Sequence, residues 1–295
     1  MSPKLTIGIP FYNNAETLGD AIRSVFAQTF HDWELILVDD GSTDHSLEIA
    51  SSIKDSRVRV ISDGQNRKLP YRLNQITREA QADFIARMDA DDLISPLRFE
   101  KQLAILDNHP EIDLVTTGVC SITNDTRPVG LRCGSSAEPI TGRKLLLGQC
   151  AVVHAAMLGR KSWFVRNPYD ETAMLTEDYE LWLRAFANKD FRVQILNEPL
   201  YYYREENNAT AEKLLKAYRN QVGLIKKYGY LGFNSCGVAL VITRFSCKSL
   251  VVRGLDLLHK THLLLKKRNI PITDEALLNH FNLEIEMIQK TTLPR

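Results

Sequence analysis

The run Phe84-Ile85-Ala86-Arg87-Met88 reads as a buried strand, and it ends in three carboxylates within four residues, Asp89, Asp91 and Asp92. Acids crowded at a strand's carboxyl end repel one another strongly in a partly desolvated cleft, so this pattern calls for a divalent cation to neutralise them. All-oxygen ligands favour magnesium, manganese or calcium, whose shell is completed by water and substrate phosphates. The alternative is a solvated acidic loop ahead of a helix.

The pattern recurs upstream. Leu5-Thr6-Ile7-Gly8-Ile9 runs into Pro10-Phe11-Tyr12-Asn13-Asn14, and Glu34-Leu35-Ile36-Leu37-Val38 runs into Asp39-Asp40-Gly41-Ser42. Three such runs are expected to be neighbouring parallel strands whose carboxyl ends share one crevice, the edge on which open α/β sheets bind ligands. Leu18, Ile22, Val25 and Phe26 share a helical face after the first strand, with Asn13 and Glu16 as a capping-box-like start. Leu47, Ala50 and Ile53 mark a second helix, Val58–Ile61 a strand, and Leu69, Leu73, Ile76 and Ala80 a third helix. Ser95-Pro96 is expected to open a fourth, whose buried face is Phe99, Leu103 and Leu106. This βαβ series predicts a doubly wound sheet. Beyond Asp113 the pattern loosens into short strands, at Leu114–Thr117, Ala151–Val153, Phe191–Ile195 and Leu200–Tyr203, with a helix over Glu177–Asn188.

Four segments in this order resemble the signature segments of family 2 glycosyltransferases: Ile9-Pro10-Phe11-Tyr12-Asn13, Val38-Asp39-Asp40-Gly41-Ser42-Thr43-Asp44, Arg87-Met88-Asp89-Ala90-Asp91-Asp92, and Thr176-Glu177-Asp178 running to Arg184. The resemblance covers about the first two thirds of the chain. It implies a GT-A (Rossmann-like) α/β fold with a mixed central sheet and a C-terminal helical appendage. The expected organisation is a catalytic domain over 1–205, with a nucleotide-sugar-binding half (1–112) and an acceptor half (113–205), followed by a helical region over 206–295. The implied activity is inverting, metal-dependent transfer of a single sugar from a nucleotide-diphosphate sugar, expected to be a UDP-sugar, to a glycan or lipid-linked acceptor in cell-surface polysaccharide synthesis.

By that resemblance, Asp89 and Asp91 are the outer acids of an Asp-x-Asp motif for Mg²⁺ or Mn²⁺. Asp91 is the direct ligand, Asp89 is placed towards ribose or metal, and Asp92 braces the loop. Pro10 and Tyr12 flank the base, and Asp40 accepts from its ring N–H with help from Asp39; packing for Tyr12 and capping of the Asp-Gly-Ser turn for Asp39 are the plainer alternatives. Arg67, Lys68 and Arg72 are unranked candidates for the base or diphosphate. Glu177 and Asp178 match the family's Glu-Asp pair, with Asp178 as general base in a first helical turn behind Thr176 as N-cap. Both acids equally favour a helix start. His154 resembles a position where relatives carry histidine, with a diphosphate or acceptor contact and a hydrogen-bonded structural place as its two readings.

Other classes fit less well. A sugar-phosphate nucleotidyltransferase would carry a glycine-rich basic loop after the first strand, where Pro10-Phe11-Tyr12-Asn13 stands, and a catalytically inactive glycan-binding relative would have lost the acids that this chain keeps. A glycoside hydrolase would leave the nucleotide-side motif unexplained. With 37 basic and 36 acidic residues the net charge is +1, which carries no nucleic-acid signature. The five cysteines form no Cys-x-x-Cys pair, and no signal-peptide pattern precedes the first strand, so a cytoplasmic enzyme is expected.

The tail differs from the rest. Between Cys236 and Arg268 it holds Arg244, Lys248, Arg253, Lys260, Lys266, Lys267 and Arg268 against Asp256 alone, seven minus one or +6, interleaved with Leu240, Val241, Phe245, Val251, Leu255, Leu258 and Leu264. Two readings stand: a basic amphipathic helix pair lying peripherally on the inner, anionic face of a membrane, or a helical appendage packed on the catalytic domain with its cations solvated. Arg244, Lys248 and Arg253 argue against a transmembrane span.

Overall fold

The computed structural model describes residues 2–133, 139–205, 210–258 and 270–295. Strands β1 (Leu5–Phe11), β2 (Trp33–Asp39), β3 (Val58–Ser62) and β4 (Phe84–Arg87) form the parallel half of one mixed sheet in the order β3-β2-β1-β4. Every residue of β1 and β2 is buried, which is why these strands read as nearly continuous apolar runs and not as alternations. Leu5, Ile7 and Ile9 face one side of the sheet, packing with helix α1 (Leu18–Phe26) and helix α4 (Arg98–Asn108). Ile36, Val38 and Ile85 face the other, against helix α3 (Leu69–Glu79).

β1 also explains where the sheet opens. The Gly8 carbonyl accepts from the Met88 N–H at 3.2 Å, and Pro10, two residues on, points the same way with no N–H to give. Pairing with β4 ends at Gly8 and Arg87, while pairing with β2 runs on to Phe11 and Asp39, so a crevice opens at the end of β4.

The second half continues the sheet with β8 (Leu158–Arg160) antiparallel to β4, β6 (Leu114–Ile122) antiparallel to β8, β9 (Val193–Arg204) parallel to β6, and the two-residue β5 (Leu93–Ile94) antiparallel to β9; β7 (Pro128–Arg132) forms a hairpin with β6. Helices α2 (Ser46–Ser51), α5 (Gly142–Leu146), α6 (Lys161–Arg166) and α7 (Glu177–Ala187) complete the half-layers.

Several local expectations are corrected. α1 begins after Thr17 without a side-chain cap, because Asn13 sits at φ 54° and turns its Oδ1 to the Thr43 N–H at 2.8 Å. α4 begins at Arg98, not at Pro96: the Ser95 N–H donates to Leu200 O at 3.0 Å, which extends the β5 pairing and delays the helix. Ala151–Val153 is no strand; the Thr116 hydroxyl donates to Val153 O (3.0 Å) and accepts from Val153 N–H (3.2 Å) in place of a ladder. The two strands expected over 191–203 are one, β9, with an irregularity opposite Thr117–Val119.

In the C-terminal region, α8 (Ala211–Tyr228), a 3₁₀ turn (Gly229–Leu231) and α9 (Ser235–Leu257) follow one another, and α8 packs on α7 and α9. α10 (Glu275–Lys290) lies elsewhere, burying Phe281, Ile285 and Ile288 against Leu93, Cys120, Ile122 and Tyr202 and touching α1. The tail's Lys260, Lys266, Lys267 and Arg268 fall in 259–269, outside the described residues.

Gly8 tests the packing under the crevice, since a Cβ there would stand 2.5 Å from Ile76 Cγ2 on α3. Gly8→Ala should destabilise by about 1–3 kcal/mol through overpacking, read as a lowered urea midpoint at unchanged slope.

Candidate active site

The ends of β1 and β2 are tied to each other before they bind anything. The Asn13 N–H donates to Ser42 Oγ at 3.1 Å, alongside the Asn13–Thr43 bond, and Gly41 makes the intervening turn at φ 76°, where a Cβ would press on the Gln65 backbone at 2.9 Å. Asp39 is buried and accepts from the Ser42 N–H (2.9 Å) and from the Ser62 hydroxyl (2.8 Å). It caps the turn and ties it to β3, and it lines neither of the two cavities at the strand ends.

Asp40 organises the first of these cavities, about 310 Å³, which it lines with Pro10, Tyr12, Lys68, Leu69 and Glu177. Asp40 Oδ1 accepts from the Arg67 N–H (2.7 Å) and from Arg72 Nε (2.8 Å), and Oδ2 from the Lys68 N–H (3.1 Å). Arg72 is fully buried and spends its guanidinium on Asp40, on Asp63 (2.6 Å), on Gln75 (2.8 Å) and on the Gln65 carbonyl. The Arg72 hydrogen bond holds the Asp63 carboxyl well below the usual range. The three basic candidates therefore separate. Arg72 braces the loop, Arg67 pairs with Asp63 at 2.9 Å and lies over the Tyr71 ring, and Lys68 is exposed at the cavity. Lys68 sits at φ 73°, ψ 162°, a region that normally belongs to glycine, and is held there by its N–H to Asp40.

The acidic triplet forms a cluster, the Asp89, Asp91 and Asp92 carboxylates lying within 4.8 Å of one another. Asp92 is buried and committed: Oδ2 accepts from the Tyr201 hydroxyl (2.8 Å), Oδ1 from the Arg204 N–H (2.7 Å), and the same Tyr201 oxygen accepts from the Asp89 N–H (3.1 Å). Burial, reinforced by Asp91 and Asp89, pushes the Asp92 carboxyl well above its ordinary range. Arg204 also donates through Nε to the Asp91 carbonyl at 2.7 Å.

Arg87 lies beneath the cluster. Its guanidinium pairs with Asp89 and donates to His154 Nδ1, and although burial opposes its charge, Asp89 together with Tyr169, Tyr201 and Glu177 raises its pKa. Because arginine can only donate, Nδ1 accepts and the His154 proton sits on Nε2, directed at the Tyr169 hydroxyl 2.8 Å away. Burial and the Arg87 charge push the His154 pKa well below its usual value, in agreement with a neutral ring. His154 lines the second cavity, yet both its nitrogens are taken, and its ring packs edge-on against Trp182. Arg98, one layer deeper, donates to the Arg87 and Met157 carbonyls at 3.1 and 3.2 Å, and burial lowers its pKa to about 10.

This second cavity, about 430 Å³, is lined by Asp89, Arg87, His154, Glu177, Asp178 and Tyr203 among others. Asp178 stands in the first turn of α7, its Oδ1 accepting from the Tyr179 N–H at 2.7 Å, and burial raises its pKa. Thr176 holds the N-cap position without a side-chain capping bond. Burial also raises Glu177, whose buried Oε2 has no hydrogen-bond partner. Trp182 packs edge-on against His154 and tilted against Phe191, and Arg184 pairs with Glu180 at 3.0 Å.

The donor set suits a hard divalent cation: three carboxylates lie within 4.8 Å of one another, of which Asp92 is already engaged by Tyr201 and Arg204 and Asp89 by Arg87. The sequence reading missed Arg87, Tyr201, Arg204 and Tyr169. A signal existed for Arg87, which alternation along an extended strand end puts on the same side as Asp89; the others come from distant segments.

The model of the family described as "Glycosyl transferase family 2" matches residues 6–166. EpsE of Bacillus subtilis is 33% identical over 213 residues, covering 70% of this chain and 75% of its own. The O-antigen biosynthesis glycosyltransferase WbnJ of Escherichia coli is 29% identical over 229 residues, 73% of this chain and 87% of its own. S. aureus TarS 1-349 in complex with UDP-GlcNAc superposes with a TM-score of 0.60 at 18% identity, over 82% of this chain and 71% of that one. The mannosyltransferase PcManGT from Pyrobaculum calidifontis, in complex with GDP-Man and Mn²⁺, does so with a TM-score of 0.59 at 13% identity, over 98% and 86%.

Mn²⁺ or Mg²⁺ alone should raise the melting temperature of the native chain in a chelator-reversible way, and Asp91→Ala should abolish the shift while folding normally. An equal shift in that variant would remove Asp91 from the metal site.

Proposed function

Because the chain belongs to glycosyltransferase family 2 and has the GT-A fold, we propose that it transfers one sugar, with inversion, from a nucleoside-diphosphate sugar to a hydroxyl of a glycan or lipid-linked acceptor. The observation that carries this reading is the meeting of the two cavities, which share Leu69 and Glu177. A nucleotide held between Pro10, Tyr12 and the Asp40 loop would extend its diphosphate towards Asp89 and Asp91, with Lys68 at the cavity as the available cation. The sugar then comes beside Glu177, whose unpartnered Oε2 is suited to accept from a sugar hydroxyl. The second cavity takes the acceptor, with Asp178 in its wall.

A bound divalent cation supplies charge stabilisation to the departing diphosphate oxygens. The chain's residues do the rest. Asp178 takes the proton of the acceptor hydroxyl as its oxygen bonds to the anomeric carbon, and the carbon–oxygen bond to the diphosphate breaks with its electron pair leaving on the nucleoside diphosphate. Arg87 offsets the charge of Asp89, and His154 and Tyr169 hold Arg87 in place. A UDP-sugar donor and a surface polysaccharide product belong to this proposal; they are supported by a neighbour bound to UDP-GlcNAc and a relative named for O-antigen synthesis. So does a cytoplasmic setting, with which five unpaired cysteines are consistent.

Asp178→Asn should lower kcat by about 10²–10⁴-fold and leave the donor KM within a few-fold. The base must be ionised, so activity should fall as pH drops through the Asp178 pKa, which burial raises. Loss of this acid limb in the variant is the expected pH–rate result; transfer at the parent rate would assign the proton elsewhere.

A further inference from the structure

α9 is 23 residues long, and its apolar window has a mean hydropathy of 1.5 with only 17% buried. Val241, Phe245 and Val252 face the domain. Opposite them runs an outward strip, at spacings of three, four and seven, that includes Cys236, Leu240, Cys247, Leu250, Val251 and Leu257. The leucines are well out in solvent, at 68% for Leu240, 65% for Leu250 and 83% for Leu257. At 100° per residue no charged side chain falls on this strip, while exposed Arg244 borders one edge and exposed Arg253 the other.

We propose that this face of α9 docks flat on an anionic lipid bilayer, its leucines in the headgroup–acyl boundary and Arg244 and Arg253 reaching lipid phosphates on either side. Charge decides among occupants. A second copy would bring the same cation-edged strip against itself, like charges meeting at the borders, whereas an anionic surface complements both edges. Spanning is opposed by the three side chains that α9 buries against the domain and by two arginines within the helix. The inference does not depend on the transferase reading, since its readout is partition and needs no turnover.

The full chain should co-sediment with vesicles of phosphatidylglycerol and phosphatidylcholine at low salt, bind less as salt rises, and bind pure phosphatidylcholine weakly. Leu250→Asp combined with Leu257→Asp should cut partition roughly tenfold or more with unchanged melting temperature, these side chains being exposed. Arg244→Glu with Arg253→Glu should remove the anionic preference. Unaltered binding by the leucine variant would move the contact off α9 and overturn the proposal, as would equal binding to neutral and anionic vesicles. A concentration-dependent dimer without vesicle binding would assign the strip to a second copy and overturn it too.

Discussion

Negative charge collected where β4 ends is the constraint to which the rest of the site answers. Two ionised carboxylates within 4.8 Å of each other repel by about 3 kcal/mol or more at an effective dielectric near 20, and Asp89 lines one cavity with Glu177 and Asp178. The chain meets this with buried arginines. Arg87 pairs with Asp89, Arg98 holds the Arg87 carbonyl from below, and Arg204 fixes the Asp91 backbone while donating its N–H to Asp92. Arg87 carries its own desolvation cost, which Asp89 and the neutral acceptor His154 offset at the two terminal nitrogens, while its buried Nε has no hydrogen-bond partner. His154 thus belongs to the foundation of the acid cluster while its ring also lines the second cavity.

A second, separate network shapes the nucleotide side. Asp40 gathers two backbone N–H groups and the Arg72 guanidinium, so the loop ahead of α3 is preorganised and not left to close on ligand. The same restraint keeps Lys68 at φ 73°, and Leu175, across the cavity, sits at φ 63°. Strained residues of this kind cost of order 1–3 kcal/mol each, which at Lys68 the hydrogen bond to Asp40 offsets. Both networks rest on the end of β1–β4 pairing at Gly8, where Pro10 follows with no donor to offer β4.

Much of this was legible beforehand because it is local. Strand runs ending in acids, the Asp-Gly-Ser turn and the Glu177-Asp178 pair at a helix start are patterns within ten residues, and backbone periodicity acts over that range. What was not legible depended on partners far along the chain. Arg72 looked available for ligand, and is consumed by Asp40 and Asp63, 32 and 9 residues away. Asp92 is held by Tyr201 from 109 residues on. Ala151–Val153 carries strand-forming residues, but the Thr116 hydroxyl takes the Val153 backbone groups and the segment is an irregular cavity wall.

The amino-acid order by itself determined the βαβ start and the place of the acids at strand ends, which follow from local periodicity, and its four motif segments carried the resemblance to the family. The tertiary structure alone decided which charges are spent on one another and which face ligand. It also decided that α10 leaves α9 to cover the far end of the sheet, and that α9 shows solvent an uncharged strip edged by Arg244 and Arg253. The reason is common to all of these: burial and charge pairing are settled by neighbours in space, and in this fold those neighbours are drawn from both ends of the chain.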